Sequence, residues 1–372
     1  MKSLNLNLYN WKCYKQKKIN LDLSKSIFIS GQNGIGKTSL WLAIYSLIKG
    51  STPSNIKLSE CIKASSQYFG ISTDQNNLYL TGKINLRGVV DFKSETNSFF
   101  EKVKLFEYLV YENDFFSWNR EPRLKYYDSI ITNIYGKSYY TAIQNLNRAL
   151  RSKTEILRKY KHLKPSVVRN LDSIKKILIH YNQIIAEESM MIWTYRKKYF
   201  EFLKSRTWEF CRDLNLSDIQ ISTDYKQTNF KGVLVSRSEV PTFNEIFLEL
   251  NNLLDEELKL AKSIYGAHKD DVDLLINGLD LYNYLSRGQI RMWVIFQKIS
   301  AIKLFKISQG DYDIWFFLDD VFNEIDSNYE NILLNKWFST LDKLFFTGVR
   351  VPDSIASNIN YQIVVLSSLS SL

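Results

Sequence analysis

The 372-residue chain is 45% hydrophobic, enough for two or three compact units with cores of their own, which excludes a disordered polymer. Cys13, Cys61 and Cys211 are scattered with no CxxC or Cys/His spacing, so a reducing interior such as the cytosol is expected, and neither a disulfide framework nor a zinc site. A net charge of +10 admits a polyanionic partner, although the abundant Lys, Asn, Ile and Tyr would also follow from an AT-rich genome.

Residues 3 to 9 and 19 to 30 read as strands, and the second ends in the apolar SIFIS directly before Gly31. The N-terminal stretch lacks the apolar core of a signal peptide and no run approaches 18 apolar residues, so no membrane span is expected. Residues 31 to 40, GQNGIGKTSL, contain GxxxxGK[ST] at Gly31, Gly36, Lys37 and Thr38. In such a loop, backbone N–H groups curl around phosphate oxygens at a helix N-terminus. Gln32, Asn33, Gly34, Ile35 and Ser39 complete the predicted nucleotide loop; Lys37 would reach the β and γ phosphates, and the Thr38 hydroxyl would hold Mg²⁺. After Thr38 the apolar period becomes helical at Leu40, Ile44, Leu47 and Ile48. Strand, glycine turn and helix therefore follow in the order the motif needs.

Residues 78 to 110 alternate around Gly82 and Gly88, which predicts antiparallel strands carried on the nucleotide unit. The segment from about 137 to 215 turns helical, punctuated only by Pro165, and its helices are too short and aromatic for a long coiled-coil rod. This segment also carries the charge: Lys137 to Arg206 holds 16 Lys/Arg against 5 Asp/Glu, and the rest of the chain is close to neutral. A solvated lysine-rich arm is the plain reading of that excess, and a polyanion-binding arm the sharper one. Strands resume at DIQISTDY and GVLVSRS, and a helix is expected from about 243 to 263. At 314 to 320, IWFFLDD reads as a buried parallel strand with two aspartates at its carboxyl end, where α/β sheets bind ligands. Asp319 would join the Mg²⁺ shell, and Asp320 would orient or deprotonate the attacking water. The resulting division is 1–125 and 216–372 as two parts of an ATPase lobe, with 126–215 as a helical basic arm.

YLSRGQ at Tyr284 to Gln289 resembles the LSGGQ signature of ABC-type ATPases, and its arginine form upstream of an aspartate pair resembles the RecF family of DNA repair proteins. IYGAHKDD at 264 to 271, LDDVFNEID at 318 to 326, LYNWK at 8 to 12 and YENDFF at 111 to 116 resemble further family elements, in family order over nearly the whole chain. Lys12, Asn113 and Ala267 depart from the usual arginine, glutamate and proline, and the stretch after Pro122 is about two residues short of the family spacing. The resemblance implies an α/β fold, an ABC-type P-loop ATPase head with an inserted helical lobe. It implies that Lys12 belongs to the nucleotide site and that Ser286, Arg287, Gly288 and Gln289 grip the nucleotide of a second copy, in an ATP-dependent homodimer. A helix cap is the alternative for Ser286 and helix-start acids for Glu324 and Asp326 instead of a dimer seam, while His268 is expected to be a structural loop residue.

The resemblance further implies binding of double-stranded DNA, especially at single-stranded gaps, and help in loading RecA with the partner RecR and often RecO. Two basic arms side by side would neutralise duplex phosphates without reading bases, which nominates Arg148, Arg151, Lys153, Arg158, Lys159, Lys161, Arg196, Lys197 and Lys198. Because Asp320 is one methylene shorter than glutamate, slow, switch-like hydrolysis is expected. A transporter ATPase would place a histidine where LFFTGVR has Thr347, and a Rad50-like protein would need hundreds of coiled-coil residues. An ATPase subunit of a nuclease-linked defence system, or of another SMC-like DNA-processing system, is the alternative that the sequence leaves open.

Overall fold

The computed structural model describes residues 3–53, 56–74, 78–85, 90–95, 100–117, 119–161, 171–216, 218–229, 231 and 233–367. In chain order, β1 (Ser3–Trp11), β2 (Tyr14–Asp22) and β3 (Ser26–Ser30) precede α1 (Lys37–Lys49), and β4 (Tyr68–Thr73), β5 (Tyr79–Ile84), β6 (Val90–Glu95) and β7 (Val103–Tyr108) follow. The strand expected over 19 to 30 is two strands. The Asp22 carboxylate accepts from the Ser24 backbone N–H at 2.9 Å and the Asp22 carbonyl from that of Lys25 at 3.1 Å, an Asx-type turn that ends the first strand. Next come α2 (Arg120–Tyr135), α3 (Lys137–Tyr160), α4 (Leu171–Asp213), β8 (Ile221–Thr228), β9 (Leu234–Val235), α5 (Phe243–Asn252), α6 (Leu254–Leu260), β10 (Asp271–Ile276) and β11 (Leu279–Asp280). The chain finishes with α7 (Arg287–Gln309), β12 (Asp313–Leu318), α8 (Ser327–Ile332), β13 (Lys343–Gly348), α9 (Asp353–Ala356) and β14 (Tyr361–Val365). Pro165 and Gly88 lie outside the described residues.

These elements form two compact units. The first is Met1–Asn113, Arg287–Ile302 and Gln309–Leu372; the second is Asp114–Ser286 with Lys303–Ser308. The boundaries expected at 125 and 215 both fall inside the second unit, where α5 and β8 pack against α4.

In the first unit, an antiparallel sheet in the order β2-β1-β4-β5-β6 and a parallel sheet in the order β14-β3-β13-β12-β7 share one core. The expected antiparallel pairing of 78 to 110 holds for β5 and β6, whereas β7 pairs parallel with β12. Its last four residues, Leu105 to Tyr108, are all buried, as a strand of a covered parallel sheet requires. Helix α1 is buried almost all round because Leu4, Leu6 and Leu8 of β1 and Phe317 and Phe345 of the parallel sheet belong to the same core as Trp41 and Ile44. Phe317 and Phe345 stack at 4.3 Å between centroids.

In the second unit, α3 and α4 pack together and a sheet in the order β11-β10-β8-β9 closes the end. The helix expected over 243 to 263 is divided at Leu253 into α5, which opens with a Thr242/Glu245 capping box, and α6. The buried Arg196 guanidinium joins α2, α4 and the loop before β10: it bonds Asp128 at 2.9 Å and both Asp270 and the Ala267 carbonyl at 2.7 Å. No helix among the described residues is long and apolar enough to cross a membrane.

Candidate nucleotide site

Strand β3 runs into the glycine loop and α1 begins at Lys37, so the loop N–H groups and the helix N-terminus face one cleft. The cleft measures about 340 Å³ and is lined by Cys13, Asn33, Gly34, Gly36, Lys37, Thr38, Ser39 and Asp320. Gly36 has φ +105, and a Cβ there would sit 2.7 Å from both Cys13 Sγ and Tyr14 Oη, so only glycine fits. The Lys37 ammonium donates to the Gly31 carbonyl at 3.0 Å and the Gln32 carbonyl at 3.2 Å, which holds it over the loop. Ile35 packs against the core instead of lining the cleft.

Two residues 281 positions apart meet here. The Thr38 hydroxyl donates to Asp319 Oδ1 at 2.9 Å, with Oδ2 at 3.1 Å. A hydroxyl beside a carboxylate supplies the hard oxygens Mg²⁺ prefers, so these residues fit the ion that the loop motif implies. Burial pushes the Asp319 carboxyl up from its ordinary value, while bonds from Thr347 and Thr38 pull it down. Asp320 follows in a left-handed conformation, φ +49; its N–H donates to Thr347 Oγ1 at 2.8 Å and its carbonyl accepts from Arg291 at 3.3 Å.

The signature segment starts α7. Ser286 and Arg287 are exposed, and a Cβ on Gly288 would lie 3.2 Å from the Glu324 carbonyl. None of Arg287, Gly288 and Gln289 lines the cleft. Glu324 pairs with the buried Arg291 at 3.4 Å, and the Asp326 carboxylate accepts from the Tyr329 N–H at 2.9 Å as the cap of α8, the helix-start role. Lys12, at the hairpin tip with φ +50, donates its N–H to the Cys61 carbonyl at 2.7 Å; its neighbour Cys13, and not Lys12, lines the cleft.

Several contributors escape sequence spacing. Trp11 Nε1 donates to the Ser39 carbonyl at 2.8 Å and the Tyr14 hydroxyl to the Gly36 carbonyl at 3.0 Å, so the β1–β2 hairpin clasps the glycine loop. In the YENDFF stretch, Glu112 forms a buried ion pair with Lys298 of α7 at 2.8 Å. The resemblance of LYNWK places Lys12 of that hairpin at the nucleotide site, and the sequence marks Thr347 only as standing where a transporter ATPase would carry a histidine.

The nominated DNA contacts divide. Arg148, Arg151, Arg158 and Lys159 are exposed on α3 at spacings that share a helical face, and Lys161 and Lys198 are also exposed. Lys153 and Arg196 are corrections: both are buried and neutralised, Lys153 by Glu257 at 2.5 Å and Arg196 by Asp128 and Asp270, so neither can meet a phosphate. Lys197 is half-buried and bonds the Ser238 carbonyl. His268 lies in the second unit, where burial pushes its imidazole down to about 3. Among the described residues no group of three or more His, Cys, Asp and Glu could hold a metal ion.

No protein-family model matches the chain. The DNA replication and repair protein RecF of Clostridioides difficile (strain 630) is 25% identical over 364 residues, covering 94% of this chain and 92% of that protein. RecF of Clostridium novyi (strain NT) is 26% identical over 348 residues, 89% of each. Two solved structures of the recombination mediator protein RecF in the RecFOR pathway share the fold at 23% identity. One, with ATPrS, has a TM-score of 0.71 over 99% of this chain and 98% of that one; the other, with ATP, has 0.72 over 95% and 94%. Over about nine-tenths of its length the chain is similar to the RecF proteins, and it shares the mixed α/β fold of the solved RecF structures.

Proposed function

We propose that the chain is an ATP-controlled, dimeric DNA-binding protein of recombinational repair, which binds duplex DNA at single-strand gaps and assists loading of RecA with RecR and RecO. The observation that carries this reading is the Thr38–Asp319 contact at 2.9 Å, because it joins the two halves of a nucleotide–metal site within a chain homologous to RecF. Lys37 and the loop N–H groups would bind the β and γ phosphates, while Thr38 and Asp319 would hold Mg²⁺. Bound there, Mg²⁺ would offset phosphate charge as the γ-phosphoryl group leaves. Asp320 lines the cleft and would hold the attacking water, its short side chain favouring slow turnover. Ser286, Arg287, Gly288 and Gln289 would grip the nucleotide of a second copy. The exposed residues Arg148, Arg151, Arg158, Lys159, Lys161 and Lys198 would meet the duplex backbone.

The test is binding to gapped and linear duplex, with ATP and with a non-hydrolysable analogue. The gapped substrate should bind more tightly, the analogue should prolong the complex, and affinity should fall steeply with salt. Reversing Arg148, Arg151 and Arg158 to Glu should weaken binding at least tenfold and flatten the salt slope. Equal binding by the reversed variant would assign the basic face another role.

A further inference from the structure

Thr347 is the one hydroxyl in a strand end that is otherwise apolar, LFFTG, and it is fully buried. Strands β12 and β13 pair in parallel with Leu318 opposite Phe346, so the next residue of β13 arrives beside the aspartate pair. Its Oγ1 donates to Asp319 Oδ1 at 2.6 Å and accepts from the Asp320 N–H at 2.8 Å. The directions follow from chemistry: an ionised carboxylate only accepts and a backbone N–H only donates, so one hydroxyl uses its proton on one aspartate and a lone pair on the next. Valine would fill the same volume and break both bonds.

We infer that Thr347 is a positioning residue of the ATPase centre, orienting the Asp319 carboxylate toward the cation and fixing the backbone from which Asp320 reaches the attacking water. The inference rests on the proposed ATPase reading of the cleft. Asp319 Oδ1 already receives two hydroxyl protons, from Thr38 and Thr347, which leaves Oδ2 the less committed oxygen for the metal shell. Asp320 needs an anchor because φ +49 is a conformation that L residues adopt at a cost. Its N–H bond to Thr347 supplies that anchor on one side of the residue, and the Arg291 bond to its carbonyl supplies one on the other.

The experiment compares wild type with Thr347→Val and Thr347→Ser in the full chain. It measures ATP affinity in EDTA, Mn²⁺ binding to the ATPγS complex by electron paramagnetic resonance, and the Mg²⁺ dependence of hydrolysis. Thr347→Val should bind ATP in EDTA within about twofold of wild type, need about tenfold more Mn²⁺ or Mg²⁺, and turn over about tenfold more slowly, as loss of a hydrogen bond to a charged group predicts. Thr347→Ser, which keeps the hydroxyl, should restore both properties to within about threefold and serves as the reference if Thr347→Val folds poorly. In that case Thr347→Ala replaces the valine variant. A hydroxyl-free variant with wild-type metal dependence, or a serine variant as impaired as valine, overturns the inference. Absence of Mg²⁺-dependent hydrolysis in wild type would instead overturn the ATPase reading itself.

Discussion

At the scale of single residues, His268 shows how burial turns a loop side chain into an acid-sensitive one. Its ring bonds the Ser263 backbone, while Nδ1 is sealed from solvent without a hydrogen-bond partner among the described residues. Burial, with Lys269 nearby, pushes its pKa down from 6.5 to about 3. The unfolded chain therefore takes up a proton near pH 6.5 that the folded chain refuses until about pH 3, so stability is full above 6.5 and falls as pH drops. Between pH 7 and 5 this ring alone should cost about 2 kcal/mol. Urea unfolding of His268→Gln, which has no titrating ring, should lack that component; equal acid loss in both proteins would show that the ring is not its source. Residue identity in the sequence could not reveal this, because a lone histidine in GAHKDD reads the same whether its ring is wet or sealed. The same blindness placed Lys153 and Arg196 among DNA contacts: formal charge is legible in sequence, but the carboxylates that neutralise it, Glu257 and Asp270, come from elements more than 70 residues away.

At the scale of elements, helix α3 has two faces with opposite roles. Arg148, Arg151 and Arg158 point to solvent, whereas Lys153 points inward, where burial lowers its pKa and Glu257 of α6 opposes that shift. Asn182 of α4 accepts from the same ammonium at 2.5 Å and passes its own amide protons to the Leu250 carbonyl and Asn251 of α5, so one buried cluster joins four helices. Removing one charge strands the other in a dry interior. Apolar replacement of Lys153 alone, as Lys153→Met, should therefore cost about 3–5 kcal/mol, while adding Glu257→Leu should recover part of that loss and stop short of wild type, because the Ser263 hydroxyl and the Ile264 N–H lose their acceptor. Denaturant unfolding of the two variants checks this, and a double variant no more stable than the single one would mean that packing, not charge, decides. The regular elements themselves were readable where period and punctuation agreed, as in SIFIS–GQNGIGKT and IWFFLDD. They were misread where a side chain turned the chain within an alternating stretch, as Asp22 does between β2 and β3, or where sheet membership depended on a distant partner, as for β7.

At the scale of the molecule, the wide separation of the nucleotide motifs follows from how the first unit is assembled. Its parallel sheet takes β3 and β7 from before residue 113 and β12, β13 and β14 from after 308, with the second unit inserted between them. The cleft is lined by Cys13 of the hairpin, the glycine loop with the start of α1, and Asp320, and residues 287–289 of the same chain are absent from its wall. In the proposed dimer a second copy's signature segment would cover a triphosphate bound there, and nucleotide occupancy would then control association. Sedimentation should show wild type as a monomer without nucleotide and a dimer with ATPγS. Lys37→Ala, which removes the ammonium held over the loop, should bind ATP at least about tenfold more weakly and stay monomeric. Asp320→Asn is the informative contrast, because asparagine tolerates the φ of +49 that alanine would strain and yet has no carboxylate to hold the water. It should dimerise with ATP and remain dimeric after wild type has dissociated. Ser286→Arg should bind nucleotide normally and fail to associate, since Ser286 is exposed at the start of α7. If Lys37→Ala and Asp320→Asn sedimented alike with ATP, or if Ser286→Arg still dimerised, the nucleotide would not lie between the two copies.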